Sequence, residues 1–514
     1  MTGGFLQLAS YGAQDFYLTG NPQISFFKTV YRRYTNFSMD FYRINPENNI
    51  GLSEDSTVTY KFKIDRNGDL ISNIFLVFTL PNIFSTSDSE FRWIENIGSR
   101  IIEKVSIFVG GNIIDQHYGE WFDIWSELTM NNAKKENYNE LIGNLYEMYN
   151  PKLSSKLTQY PSRTKNNNIP SILSRTIRLP LIFWFNRNPS LALPLVAIQY
   201  YPVEIHVEFR PINDLFTVRD IFKVGTNFGS RQKVVGGVTR NSYLDRIKPV
   251  KNNTDYIANN GLQNFVKSPE EITLDANNNI TNFFIDPYLD VNYIFLDNEE
   301  MNKFAKSEHK YLIEQVTRVS KPEQLGNISI DLKLHHPVGY LVIVPKRSDV
   351  KDRNDWSNFS NWVTKGFPWD STNEFFEPYF DDAQAKEIID DNNYAIKGEE
   401  NIIKNLSLTL NGVERFRSND SSFYNVTQPF CFAESKPRNG ILFYSFSLDP
   451  FNYQPSGSCN MSRFNDIKLN IETTSAPIVE GSNVPLYKFD IDVYAVNYNI
   501  FRIVSGTGNL EFSN

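Results

Sequence analysis

The chain has 514 residues, a hydrophobic fraction of 41%, an aromatic fraction of 14% and a formal net charge of −8. This length predicts two to four domains, and the apolar content suffices for packed interiors. Because the charge is spread along the chain, we expect no basic stripe of the kind that binds nucleic acid directly.

The first 26 residues are mostly small or polar, with several glycines, which is typical of an arm that lies along a surface. Strand-like runs follow, separated by Asn, Gly and Pro turn signals. The run Glu120–Met130 differs, because its apolar residues recur at the i, i+3, i+4 and i+7 spacing from Trp121. It predicts a short amphipathic helix that covers an opening in a β-sandwich. The strands predicted in the first half are Phe37–Ile44, Thr57–Ile64, Ile71–Leu80, Ile101–Ile114, Thr176–Phe185, Pro202–Phe209 and Asp290–Leu296.

Polar, Asn-rich intervals separate some of these runs. Residues 131–175 predict a long surface loop, and residues 211–285 predict an insertion with small strands of its own. Asn298–His309 has helical character and could link two domains. Residues 346–400 predict a second exposed loop. The strands predicted in the second half are Leu312–Val319, Ile328–Leu334, Val338–Val344, Ile402–Leu410, Ile441–Leu448, Phe464–Ile471 and Tyr487–Ile503.

Three short segments of the first half resemble three segments of the second half, in the same order. This internal repetition favours an ancient duplication that produced two like-folded β domains, with a boundary near residues 300–311. Closely spaced strands with few helices predict sandwiches or barrels for both domains. The resembling pairs are Val105–Gly111 with Leu406–Gly412, Val203–Phe209 with Asp466–Glu472, and Val291–Phe295 with Val496–Phe501.

A search for chemistry predicts no catalytic, cofactor-binding or metal site. No metalloprotease, nucleophile-elbow or phosphate-loop motif occurs, and the histidines lack zinc spacing. His206 fits a half-buried strand position. His335 and His336, if on a strand, would point to opposite faces and could not share a metal. The remaining histidines are His117 and His309.

Two clusters leave alternatives open. The carboxylates of Asp381, Asp382, Glu387, Asp390 and Asp391 could perform acid–base work, but their polar neighbours favour a solvated loop face. A second cluster of aromatic residues could line a sugar-binding surface or could pin down the long loop. Its members are Trp356, Trp362, Phe367 and Trp369.

Cysteine content and the N-terminus indicate the compartment. Cys431 and Cys459 provide no disulfide framework. They could meet across neighbouring strands, although free buried thiols in a reducing compartment are the simpler expectation. The N-terminus lacks the pattern of a signal peptide, and no apolar run approaches the roughly 20 residues that span a bilayer. We therefore expect a soluble protein made in the cytoplasm.

Four stretches stand out along the chain. They are Thr19–Phe37, Phe108–Leu128, Asn292–Val316 and the stretch YSFSLDPFNYQPSGSCNMSRFND, which starts at Tyr444. The last is the most informative and contains a Pro455-Ser456-Gly457 turn followed by an alternating strand. The four resemble the major capsid proteins of nucleocytoplasmic large DNA viruses, occur in that family's order and span nearly the whole chain.

The resemblance implies an all-β fold of two tandem eight-stranded antiparallel jelly rolls, with long inserted loops and a few short helices. This fold would divide the chain into five parts. These are an N-terminal arm (1–26), a first jelly roll (27–300) with insertions at 131–175 and 211–285, a linker helix (301–311), a second jelly roll (312–504) with an inserted loop at 346–400, and a C-terminal tail (505–514).

In function, the resemblance implies a structural protein and not an enzyme. Three copies would form a pseudo-hexagonal capsomer that tiles the icosahedral shell of a large double-stranded DNA virus. The implied partners are neighbouring capsomers and minor capsid and penton proteins, with an inner membrane nearby that the chain does not span. The implied location is the outer capsid of the virion. The alternative is a carbohydrate-binding or carbohydrate-processing β-sandwich, favoured only by the tryptophan-rich loop.

Overall fold

The computed structural model describes most of the chain. The described residues are 2–48, 50–85, 89–151, 160–161, 169–220, 233–235, 238–240, 261–267, 272–274, 280–361, 401–476, 485 and 487–513. No helix within these residues is long and apolar enough to cross a membrane.

The first half of the chain contains fifteen of the described strands. They are β1 (Phe37–Ile44), β2 (Val58–Lys63), β3 (Leu70–Leu80), β4 (Ser89–Trp93), β5 (Ile102–Val109), β6 (Asn112–Tyr118), β7 (Arg175–Pro180), β8 (Leu193–Pro194), β9 (Val203–Phe209), β10 (Phe216–Asp220), β11 (Lys233–Val235), β12 (Val238–Arg240), β13 (Ile272–Leu274), β14 (Ile280–Phe283) and β15 (Tyr288–Leu296).

The described strands of the second half are fewer and longer. They are β16 (His309–Gln324), β17 (Asn327–Asp331), β18 (Pro337–Arg347), β19 (Ile403–Leu410), β20 (Val413–Asp420), β21 (Leu442–Ser445), β22 (Cys459–Asn460), β23 (Ile467–Thr473), β24 (Phe489–Val504) and β25 (Thr507–Leu510).

Short helices connect the strands. The α-helices are α1 (Gly3–Ala9), α2 (Phe16–Thr19), α3 (Ile97–Arg100), α4 (Gly119–Thr129), α5 (Asn132–Ile142), α6 (Tyr146–Tyr149), α7 (Trp184–Arg187), α8 (Asn298–Lys306), α9 (Val350–Arg353) and α10 (Gln428–Phe432). A π-helical turn, Phe423–Thr427, precedes α10. Single 3-10 turns lie at Pro189–Leu191, Ile212–Asp214, Leu262–Asn264 and Met461–Arg463.

Each half forms two antiparallel four-stranded sheets in the same strand order. In the first half the order is β1-β15-β3-β7 in one sheet and β2-β9-β5-β6 in the other. In the second half it is β16-β24-β18-β21 and β17-β23-β19-β20. The short strands β8, β22 and β25 add to β3, β18 and β24, and three two-stranded ribbons complete the described sheets. Two eight-stranded sandwiches with one topology are jelly rolls, so the predicted fold class is confirmed.

The three sequence repeats occupy equivalent strands. The segments at 105–111 and 406–412 form the β5–β6 and β19–β20 hairpins. Both hairpins turn on two residues with positive φ, Gly110-Gly111 and Asn411-Gly412, as a type I′ turn requires. The other two pairs fall on β9 with β23 and on β15 with β24. Buried and more exposed residues alternate along β9 and β23, because each of these two strands has only one buried face.

Strands β18 and β24 of the second jelly roll are buried on both faces. Leu341 and Ile343 of β18 point into the core of the second jelly roll. Tyr340, Val342 and Val344, which alternate with them, join the core of the first jelly roll. This double burial explains why β18 is a continuous apolar run. The core of the first jelly roll therefore extends across the junction onto the outer sheet face of the second jelly roll, whose interior forms a separate core.

Residues 131–175 do not form a simple surface loop. The Asn131 side chain accepts a hydrogen bond from the Lys134 amide and starts α5, and Gly143 ends the helix with a positive φ. Tyr138 and Ile142 of α5, four residues apart, are buried, so the segment packs on the first jelly roll. Residues 152–159 and 162–168 lie outside the described part.

Several predicted elements are shorter or longer in the structure. The run Ile101–Ile114 is two strands, and Thr176–Phe185 is a strand that stops at Pro180 before α7. The linker helix ends at Lys306, since β16 already begins at His309. The tail at 505–514 contributes β25, which pairs with β24. Strands β4 and β20 had no counterpart among the predicted runs.

The N-terminal arm extends further than predicted. Residues 27–36 contain no strand, and the first jelly roll begins with β1 at Phe37. The loop predicted at 346–400 starts later than expected, because β18 continues to Arg347 and α9 follows. Asn354 and residues 357–361 are buried. Residues 362–400 lie outside the described part. His335 and His336 occupy a turn before β18, where His336 has φ +63°, and not a strand.

Candidate functional site: the junction of the jelly rolls and the exposed arm

The histidines singled out as possible ligands lie in the described part of the chain and do not come together there. Within the described ranges, no group of three or more His, Cys, Asp or Glu side chains could hold a metal ion. His206 is half-buried, and its Nε2 lies 3.0 Å from Glu204 Oε2. His117 is buried at the junction, stacked on Phe183 with its Nε2 3.1 Å from Asp115 Oδ2. The acidic group at 381–391 lies outside the described residues.

The two cysteines are free and differ in exposure. Cys431 is exposed, which corrects the expectation that both thiols are buried, and Cys459 is half-buried. Burial raises the pKa of the Cys459 thiol, and nearby Arg415 partly offsets that rise. Neither cysteine forms a disulfide.

Trp356 pins its segment to the first jelly roll. Its indole Nε1 donates a hydrogen bond to the Asp214 carbonyl oxygen at 2.9 Å, and the Arg210 guanidinium lies 4.4 Å above its ring. Neighbouring Asn354 donates to the carbonyl oxygens of Asn213 and Phe216. For Trp356 the pinning interpretation therefore applies. Trp362, Phe367 and Trp369 lie outside the described residues.

Helix α4 lies at the centre of the junction. Trp121, Ile124 and Leu128 are buried, as the helical spacing predicts. The polar residues Glu120 and Asp123 are buried as well, so the helix is enclosed rather than half-exposed. The Trp121 ring lies 5.4 Å from the ring of Tyr494 on β24. Helix α4 thus joins the two jelly rolls rather than closing one sandwich.

A cluster of buried charges surrounds the first turn of α4. Lys346 Nζ lies 2.9 Å from Glu120 Oε1 and 2.8 Å from Asp492 Oδ2, so one ammonium group bridges two carboxylates. Arg318 donates from Nε and Nη2 to Asp492, at 3.0–3.1 Å. Tyr494 Oη donates to Glu120 Oε2 at 2.7 Å. We call Glu120, Arg318, Lys346, Asp492 and Tyr494 the junction cluster.

The electrostatics of the junction cluster favour its charged state. Burial is the largest influence on the pKa of Glu120 and would raise it, but the charges of Lys346 and Arg100 and the hydrogen bond from Lys346 together lower the pKa. For Asp492, Lys346 and Arg318 together overcome burial and lower the pKa to about 2. Burial and the Glu120 charge raise the pKa of the Tyr494 phenol well above its ordinary value. Each carboxylate is therefore compensated, as buried charges must be.

The pKa of Asp492 predicts acid sensitivity. Its carboxylate stabilises the fold above the ordinary Asp pKa of 3.8, and this contribution is lost as pH falls through about 2. We expect the free energy of unfolding to fall by about 2 kcal/mol from this group between pH 4 and pH 2. Urea titrations across this range measure the slope. Asp492→Asn should flatten it, and an equal slope in both proteins would contradict the assignment.

Further contacts seal the junction on both sides of the cluster. Arg187 of α7 pairs with Glu314 of β16, and Gln315 Nε2 donates to the Ile114 carbonyl oxygen. On the other side Arg438 Nε donates to Glu127 Oε1 of α4 at 2.9 Å. These partners are far apart in the chain, so local sequence patterns could not have indicated them.

The N-terminal arm is the largest exposed apolar segment of the described chain. Phe26, Phe27, Tyr31 and Tyr34 are each at least 84% exposed. Basic residues interrupt them, at Lys28, Arg32 and Arg33. A contiguous exposed apolar surface of this kind marks an interaction site. In α1 and α2 as well, no residue is buried.

Comparisons with known proteins agree with the fold. Residues 25–248 match a family model described as the major capsid protein N-terminus, and residues 300–509 match the large eukaryotic DNA virus major capsid protein. The major capsid protein of Pyramimonas orientalis virus is 31% identical and that of Phaeocystis pouchetii virus 30% identical, with all of this chain and all of each relative covered.

A solved structure shares the fold. A chain of the PBCV-1 virus capsid superposes with a TM-score of 0.66 at 24% sequence identity, covering 95% of this chain and 100% of that chain. The matched relatives are structural proteins rather than enzymes. With two jelly rolls of one topology and full-length relatives at 30–31% identity, the chain belongs to the major capsid protein family of large eukaryotic DNA viruses.

Proposed function

We propose that three copies of this protein form a pseudo-hexagonal capsomer, and that such capsomers tile the icosahedral shell of a large double-stranded DNA virus. The observation that carries the proposal is the pair of jelly rolls of identical strand order in one chain, with the core of the first extending onto the outer sheet face of the second. A trimer of such chains contains six similar modules. It can therefore approach a hexagonal outline, which packs without gaps in a flat layer.

The extensive contact between the modules supports this role. A tile must keep its two modules at a fixed angle, and the junction cluster, α4 and the core of the first jelly roll all join the two modules. The modules we propose comprise residues 37–296 and 309–504, joined by α8. The arm would then extend to residue 36, and the tail would belong to the second module through β25.

The partners that we propose follow from the exposed surfaces. Neighbouring capsomers would meet the sides of the tile. The basic, aromatic arm would lie on the inner face of the shell, where it would meet minor capsid proteins or the anionic surface of an inner membrane. Penton proteins would contact the tile at the shell vertices. Synthesis and assembly would take place in the host cytoplasm, and the protein would not contact nucleic acid directly.

The proposed trimer and the proposed role of the arm can be tested separately. Light scattering of the purified protein should give three times the 59.5 kDa chain mass, and electron microscopy should show three-lobed hexagonal particles. Deletion of residues 2–24 should leave the trimer intact, because these residues pack on no core, but should abolish shell assembly. A monomeric full-length protein at micromolar concentration would contradict the proposal.

A further inference from the structure

The first jelly roll carries an exposed apolar row on its outer sheet face. Phe37, Met39 and Phe41 of the edge strand β1 point to the same side and are 49%, 56% and 49% exposed. Phe75 of β3 lies behind them, with its ring 6.2 Å from that of Phe41. The row continues the apolar surface of the arm. Half-exposed aromatic and Met side chains in a row are typical of an interface core.

The equivalent face of the second jelly roll is already covered. In the matching sheet, β16, β24 and β18 replace β1, β15 and β3. There Val316, Val342, Tyr494 and Val496 are buried. Helix α4 of the first jelly roll packs on this face through Trp121 and Glu120. Within one chain, the connection between β6 and β7 of the first jelly roll, which contains α4, thus covers the outer sheet face of the second jelly roll.

The second jelly roll has a counterpart of α4 that packs on the chain through Tyr424 and Phe432 but leaves other apolar side chains exposed. Helix α4 lies between β6 and β7, and the strands in the same sheet positions of the second half are β20 and β21. The connection between those strands, residues 421–441, contains the π-helical turn and α10, residues 423–432. Val426 and Phe430 on it are 45% and 89% exposed, whereas the large apolar residues of α4 are mostly buried.

We propose that residues 423–432 of one copy pack on the β1-β15-β3 face of a second copy, repeating between chains the contact that α4 makes within the chain. The inference rests on the proposed trimer and specifies its interface. Two unlike surfaces meet, so the contact is head-to-tail, and such contacts close into a ring when the rotation permits. With two modules in each chain, three copies would close a ring of six.

Charge substitutions test both sides of this interface. Met39→Asp and Phe430→Asp should each convert the trimer to a monomer in light scattering, because each places a carboxylate in a desolvated apolar contact. Both side chains are exposed in the single chain, so the melting temperature of the monomer should change little. Val413→Asp, on the edge strand β20 where Val413 is 70% exposed, is the matched control and should remain trimeric.

A cross-link identifies the two surfaces directly. The exposed Cys431 thiol can be labelled with a benzophenone maleimide before assembly, in a Cys459→Ser background. After irradiation, mass spectrometry should find the label joined to a peptide of residues 37–44, 73–79 or 286–296 of another chain. If the wild type is trimeric but the Met39→Asp and Phe430→Asp variants also stay trimeric, the proposed interface is wrong although the trimer stands. The same holds if the cross-links of a trimeric wild type lie elsewhere. A monomeric wild type would instead refute the proposed function.

Discussion

Lys346→Met should destabilise the protein by about 3–5 kcal/mol, because it leaves two carboxylates buried without their shared partner. Lys346 Nζ lies within 3.0 Å of both oxygens of Glu120 and of Asp492 Oδ2, and both carboxylate side chains are nearly inaccessible to water. Methionine keeps much of the apolar stem of lysine, so the loss reports the charge and its hydrogen bonds. Urea denaturation at pH 7 measures the change in the free energy of unfolding.

The matched control is Lys468→Met. Lys468 also contacts a carboxylate, Asp466 at 2.8 Å, but both side chains are more than 40% exposed. We expect this variant to lose less than about 1 kcal/mol, since solvent screens exposed ion pairs. If the two variants lost equal stability, the junction cluster would not be a buried network.

Trp121→Ala should cost about 3–5 kcal/mol as well, for a different reason. The Trp121 side chain is completely buried between the jelly rolls, and truncation leaves a cavity that the surrounding strands can fill only in part. Because the cavity opens at the junction, the halves should also lose cooperativity. Differential scanning calorimetry should resolve two transitions where the wild type has one.

An exposed aromatic residue provides the control for this prediction. Tyr453 is 65% exposed, and Tyr453→Ala should change the free energy of unfolding by less than about 0.5 kcal/mol. A Trp121→Ala variant that lost under 1 kcal/mol and unfolded in one transition would show that α4 does not join the halves.

The sequence alone determined the features that depend on near neighbours in the chain. The Gly110-Gly111 and Asn411-Gly412 pairs marked equivalent positions in the two halves, and both lie in turns with positive φ, although the second strand of the Asn411-Gly412 hairpin was not predicted. Strict alternation identified β9 and β23, because each has one face in water. The resulting duplication, together with the family resemblance, was sufficient to predict two jelly rolls. The helical period of α4 also follows from its sequence.

Only the tertiary structure decided what these elements contact. Helix α4 was expected to cover one sandwich, yet it lies between two, since the periodicity of a helix defines its apolar face but not the surface that face meets. The junction cluster unites Glu120, Lys346 and Asp492, which are separated by more than 140 residues. Backbone preferences and hydrophobic periodicity act over a few residues. The pairing of distant charges depends on how two folded modules dock, and no local pattern encodes it.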